Sequence, residues 1–169
     1  MSKIPFSLAP LKAEHDRSLF RSGSEKLDQY LREQVTQDIR RRVAACFVAL
    51  AERERIIGYY TLASASVPLT SLPLESRKKL PRYPAVPTVR MGRLAVDQAF
   101  QGIGLGGALL ADAIARTVRS EIASHALVVD AKSDAAAAFY RHHGFIPLPD
   151  TPLMLFLPFA SLYAYSGAQ

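Results

Sequence analysis

Residues 88–122 read TVRMGRLAVDQAFQGIGLGGALLADAIARTVRSEI. The opening stretch is apolar and β-prone and predicts a strand at about 88–96. From Ala108 onward, Leu109, Leu110, Ala113, Ile114 and Val118 fall on one side at helical spacing. Between strand and helix stands a turn with Gly102, Gly104, Gly106 and Gly107. A second apolar run, HALVVDA, predicts another strand at about 125–130. Strand, turn, helix and strand in that order require a right-handed crossover and a parallel strand pair. The fold class is therefore α/β or α+β, one layer of sheet with helices packed on it.

The turn carries the first chemical signal. The first N–H groups of a helix have no acceptors inside it, and the dipole adds about half a positive charge at that end. Glycines remove the side chains that would hold a ligand off, so the turn reads as a cradle for a phosphate or diphosphate. A phosphate loop of the G-x-x-x-x-G-K-[ST] type is excluded, because Ala108 follows Gly107. Gly102, Gly104 and Gly107 match a dinucleotide fingerprint, but only about 60 residues follow, too few for two mononucleotide-binding halves. A third pattern, Q-x-x-G-x-G, is matched by Gln101, Gly104 and Gly106.

Working outward, SEKLDQYLREQVTQDIR at 24–40 places Leu27, Tyr30, Leu31, Val35 and Ile39 on one helical face. Ser22, followed three residues later by Glu25, predicts a capping box at its start. Two strands, about 43–51 and 55–66, flank the charged turn AERER. Cys46 lies inside the first and reads as a small buried hydrophobe rather than a nucleophile. Residues 67–87 hold Pro68, Pro73, Pro81, Pro84 and Pro87, which excludes a central strand or long helix but allows a helical turn near Leu74–Leu80. SDAAAAFYRHH predicts a short helix stopped by Gly144, and FIPL and PLMLFLPF predict two last strands.

A chain of 169 residues is expected to form a single domain over 1–169. No apolar run reaches the roughly 18 residues a bilayer span needs, and the first residues lack a secretory pattern. One cysteine permits no intrachain disulfide, so a cytoplasmic location and no membrane partner are expected. The net charge is +6. Between Glu75 and Asp97 there is no acid, while Arg77, Lys78, Lys79, Arg82, Arg90 and Arg93 all occur there. Arg40, Arg41 and Arg42 form a further cluster. Such clusters attract phosphate backbones by counterion release. His142 and His143, adjacent on a helix, point about 100° apart and cannot clamp one ion, so no metal is expected.

Together, RLAVDQAFQGIGLGGALL and AAAAFYRHHGF resemble the GNAT superfamily of acetyl-CoA-dependent N-acetyltransferases. RLAVDQAFQGIGLGGALL is similar to that family's fourth strand, pyrophosphate loop and following helix. AAAAFYRHHGF is similar to its late helix, which ends in a Tyr-x-x-x-Gly-Phe signature. The resemblance implies a central mixed sheet of six to seven strands, about four helices, and fourth and fifth strands that splay apart. It implies that pantetheine runs along Leu94, Ala95 and Val96. The diphosphate would lie on the loop that starts at Gln101, on the amides of Gly102, Ile103, Gly104, Leu105, Gly106 and Gly107. Tyr140 matches the tyrosine that protonates the departing thiolate. Ser133 stands where the family often has asparagine, and its hydroxyl would take over that contact with the pantetheine arm.

The fourth strand offers Arg90 and Arg93 and no acid before Asp97. A lysine amine near pKa 10.4 is about 0.1 % neutral at physiological pH, whereas an α-amine near 7.7–8.0 is about 20–30 % neutral. A site without a carboxylate base therefore suits an α-amine beside negative charge, as in aminoacyl-tRNA. Nearly the whole chain, from LKAEHDRSLFRSGSEKLDQYLREQVTQD through GYYTLASASV to FYRHHGF, resembles the GNAT-type toxins of toxin–antitoxin pairs. That resemblance implies acetylation of charged tRNA, a block of translation, and a small ribbon-helix-helix antitoxin as partner. Arg77, Lys78, Lys79, Arg82, Arg90 and Arg93 are then expected on the acceptor stem, and the apolar last strands suggest a homodimer. Two other readings stay open. One is a GNAT enzyme acting on a protein N-terminus or small amine; the other is a non-catalytic module binding coenzyme A or a partner.

Overall fold

The computed structural model describes residues 5–160 and 162. Its strands are β1 (Ser7–Pro10), β2 (Ala45–Leu50), β3 (Ile56–Pro68), β4 (Ala85–Val96), β5 (Ala126–Asp130), β6 (Ile146–Leu148) and β7 (Thr151–Pro158). They form one seven-stranded sheet in the order β1-β2-β3-β4-β5-β7-β6. Helices are α1 (Glu25–Gln29), α2 (Val35–Arg40), α3 (Leu74–Arg77), α4 (Leu105–Arg119) and α5 (Asp134–His142). A π turn, Tyr30–Gln34, joins α1 to α2, so the named helices make four rods among the described residues, in keeping with the about four that the resemblance implies.

The sheet is mixed. β4 and β5 are parallel, from Thr88↔Ala126 to Met91↔Val129, as the strand–turn–helix–strand order requires. That register ends at Met91, so the last residues of β4, from Gly92 to Val96, lie outside it. β1–β2, β2–β3, β5–β7 and β6–β7 pair antiparallel. β1 escapes sequence reading because four residues ending in proline show no usable alternation; a proline is tolerated there because the strand is an edge.

The chain divides into two compact units, Met1–Ala63 with Gly92–Ala113, and Ser64–Met91 with Ile114–Gln169. In the first, Tyr30, Leu31 and Val35 pack with Phe20, Cys46, Val48, Ile56, Tyr59 and Ala95, and Leu27 and Ile39 close the rim. The helical face read from the sequence is thus the buried one. The capping box expected at Ser22 does not form. Ser24 is the N-cap and accepts from Leu27 N, while Ser22 gives both its amide (2.9 Å) and its hydroxyl (2.6 Å) to Asp28 Oδ1. Asp28 is buried and needs those donors, which takes Ser22 away from the helix end. Cys46 is buried, and burial pushes its thiol up to about 12, which makes it inert as a nucleophile. In the second unit, Val67, Leu72, Val86, Ala126, Val128, Leu148 and Phe156 form the core, with Leu69 and Leu80 of the proline-rich stretch packed against it. β4 begins at Ala85, inside the stretch assigned to a loop; Pro87 is exposed, and its carbonyl accepts from His125 N at 2.8 Å.

Candidate active site

In the first unit, the glycine turn joins β4 to α4. Gly102 and Gly104 take φ of +80° and +87°, where side chains with a Cβ are strained. A Cβ at either would meet nothing within 4 Å, so backbone conformation, not crowding, calls for glycine, and the space before the loop is open. The helix starts at Leu105, three residues before the start read from the sequence, so Gly106 and Gly107 belong to its first turn. Its first backbone bond runs from Ala108 N to Gly104 O (3.1 Å), which leaves the amides of Leu105, Gly106 and Gly107 without helical acceptors. That arrangement fits a diphosphate. Forcing a side chain into the left-handed region costs about 1–2 kcal/mol, equivalent to roughly five- to thirtyfold in an equilibrium. Gly104→Val is therefore expected to weaken acetyl-CoA binding by about that factor in calorimetry, and an unchanged Kd would remove the loop from the site.

Gln101 braces this loop. Its side-chain amide donates to Val96 O (2.9 Å) and to Ser22 O (3.0 Å), so its role is to hold the turn against the end of β4. Of the β4 residues implicated in pantetheine binding, Ala95 is buried, and Leu94 and Val96 are half-buried. Asp97, the first acid after the basic stretch, is buried. Its Oδ1 accepts from Ala99 N (2.9 Å), its Oδ2 accepts from Arg21 N (3.0 Å), and Arg55 lies 3.7 Å away. A carboxylate so committed is structural and not a base for an incoming amine. Arg93 lies with its guanidinium carbon 3.5 Å from the centre of the Tyr30 ring.

In the second unit, Tyr140 sits on α5 between the rings of Phe139 (5.2 Å) and Phe145 (5.4 Å). Burial pushes its phenol up to about 12, so it is a neutral O–H across the physiological range. Its hydroxyl makes no hydrogen bond among the described residues. Ser133 is the N-cap of α5 and accepts from Ala136 N at 3.1 Å, which leaves its own O–H available as a donor. His142 and His143 are exposed; His143 packs on Phe139 at 4.8 Å. Among the described residues no group of His, Cys, Asp and Glu has the arrangement to hold a metal.

The basic residues divide by environment. Lys78, Lys79 and Arg82 are exposed, and the Lys78–Glu75 pair at 3.5 Å is a surface contact of little energy. Arg77 is half-buried, with its Nε buried and unpartnered. Arg90 pairs with Asp130 at 3.4 Å, and Lys132 reaches the same carboxylate at 3.6 Å. The ties of Arg21 to Asp97 and of Arg93 to Tyr30 had no signal in the sequence, because each joins residues more than sixty positions apart.

Residues 42–147 match the family model of the GNAT acetyltransferase domain. The chain is 40 % identical over 144 residues to the tRNA-acetylating toxin of Mycobacterium tuberculosis, covering 84 % of this chain and 85 % of that one. It is similar to the structure of AtaT complexed with acetyl-methionyl-tRNAfMet, with a TM-score of 0.86 and 30 % identity over 96 % of this chain and 99 % of that one. A tyrosine-to-phenylalanine variant of AtaT, bound to the C-terminus of the antitoxin AtaR and to acetyl-CoA, matches with a TM-score of 0.77 and 26 % identity over 97 % of this chain and 99 % of that one. No helix among the described residues is long and apolar enough to cross a membrane. The chain belongs to the GNAT acetyltransferases and stands close to their tRNA-acetylating toxins.

Proposed function

We propose that this chain is a toxin that moves the acetyl group of acetyl-CoA onto the α-amino group of an aminoacyl-tRNA and so blocks translation. The observation that carries this reading is the commitment of Asp97: β4 offers arginines and no free carboxylate, which suits an acceptor amine that needs no strong base. The similarity to a tRNA-acetylating toxin and to AtaT with its acetylated tRNA supports it. In this reading acetyl-CoA is the co-substrate, and the amides of Gly102 to Gly107 hold its diphosphate. Leu94, Ala95 and Val96 line the pantetheine, and Ser133 donates to that arm. Tyr140 gives its hydrogen bond, and then its proton, to the thiolate as the new amide forms. Lys78, Lys79 and Arg82, with Arg77, Arg90 and Arg93, meet the acceptor stem.

The whole chain, 1–169, works here as one acetyltransferase domain in the cytoplasm, as a homodimer, with a small ribbon-helix-helix antitoxin as its partner. AtaT bound to the C-terminus of its antitoxin supports an antitoxin of some kind. The test uses purified protein, labelled acetyl-CoA, and charged tRNA, uncharged tRNA, peptides and small amines as acceptors. Label is expected on charged tRNA alone and is released when the aminoacyl ester is hydrolysed. Label on uncharged tRNA or only on peptides overturns the reading.

The pH dependence follows from the two titrating groups. The α-amine must be neutral to attack, so the rate is expected to rise with pH and level off above about 8. Tyr140 must stay protonated, and because its phenol is pushed up to about 12, no falling limb is expected below about pH 10. Single-turnover rates from about pH 6 to 10 check this, with chemical loss of the ester measured in parallel. A bell centred near neutrality would point to a different acid.

A further inference from the structure

We propose that Arg40, Arg41 and Arg42, at the corner after α2, form a phosphate-contacting surface for the tRNA that is continuous with Arg93. This extends the aminoacyl-tRNA reading and rests on it. All three side chains are exposed, and none makes an ion pair among the described residues. The chain reverses here with Arg42 N bonded to Ile39 O (3.0 Å) and Val43 N to Asp38 O (3.0 Å). Arg42 supports that reversal at φ +60°, in the left-handed region. Helix stops of this kind are served best by glycine. A long cation at such a position is a choice that folding does not call for, and strained residues of this sort gather at working surfaces. The helix dipole accounts for basic residues in the last turn but not for one beyond it.

The nearest acid is already occupied. Asp38 accepts from the Tyr30 hydroxyl (2.7 Å) and from Gln34 Nε2 (3.1 Å). These hydrogen bonds, with smaller help from the charges of Arg93 and Arg41, hold its carboxyl below the usual range. Arg93 covers the face of the same Tyr30. Arg93 on β4 and Arg41 at the corner therefore act on one Tyr30–Asp38 pair, and the arginine run continues the positive charge of the strand. Three successive guanidinium groups, none in an ion pair among the described residues, suit a polyanion, because each planar fork binds a phosphate through two hydrogen bonds.

Arg42→Gly separates binding from folding, since glycine relieves the left-handed strain while removing the charge. The expected result is an unchanged or higher Tm and an unchanged Kd for acetyl-CoA. The KM for charged bulk tRNA should rise about three- to tenfold, and the salt slope of tRNA binding should fall by about one. Arg40→Glu with Arg41→Glu should enlarge the loss. An unchanged KM and salt slope in both variants overturn the proposal and leave the run to a protein partner. Direct binding of uncharged bulk tRNA keeps the two readings apart. If wild-type protein binds it and the variants do not, while no tRNA is acetylated, the surface stands and the proposed reaction fails. If tRNA is acetylated and all variants bind alike, the surface alone fails.

Discussion

Tyr140→Phe is expected to lower turnover on charged tRNA by about 10²–10³, the usual loss when a general acid or strong hydrogen-bond donor is removed. The change deletes one oxygen that makes no hydrogen bond among the described residues, while the ring keeps its contacts with Phe139 and Phe145. Thermal stability and acetyl-CoA affinity should therefore stay near the wild-type values. The physical basis is the leaving group. A thiolate has an ordinary pKa of about 8.5, and a positioned donor stabilises it as its charge develops. A phenol raised to about 12 is protonated in every resting molecule; it is a dependable hydrogen-bond donor, though a weaker acid than a free tyrosine. Rapid-quench measurement of the acetyl-transfer step, beside calorimetry with acetyl-CoA, checks this. A large loss of coenzyme affinity with an intact chemical step would make Tyr140 a packing residue.

The other large effect concerns the proline-rich segment before β4. Lys78→Glu, Lys79→Glu and Arg82→Glu together are expected to raise the KM for charged tRNA by about 10²-fold and to flatten its salt dependence by roughly three units of slope, since each lost phosphate contact removes about 0.9. All three side chains are exposed, so the reversal should not disturb folding. Arg77 is left unchanged because it is half-buried, and a carboxylate there would test stability as well as binding. Unchanged Tm with the predicted KM and slope supports the acceptor-stem assignment; an unchanged slope places the nucleic acid elsewhere.

Much of this protein is legible along the chain. The helical face of Leu27, Tyr30, Leu31, Val35 and Ile39 is readable because its spacing is local, and those residues line the first unit's core. The glycines at 102 and 104 are readable because a left-handed backbone selects that residue type. The parallel β4–β5 pair follows from the order of elements. Ser22 misleads because a serine is an equally good partner for the helix end and for a buried carboxylate, and only Asp28 decides between them.

Local spacing and residue chemistry by themselves determined the α/β class, the glycine turn between β4 and α4 and the lack of acids on the basic strand, while Tyr140 was singled out by the resemblance to the GNAT family. Tertiary structure alone decided that Asp97 is locked by Arg21 and Arg55, that Gln101 braces the turn through Ser22, and that Arg93 lies on Tyr30. The division has a physical cause. Periodicity and backbone preference act between near neighbours, whereas the use of a charge depends on which distant groups folding brings within hydrogen-bond reach.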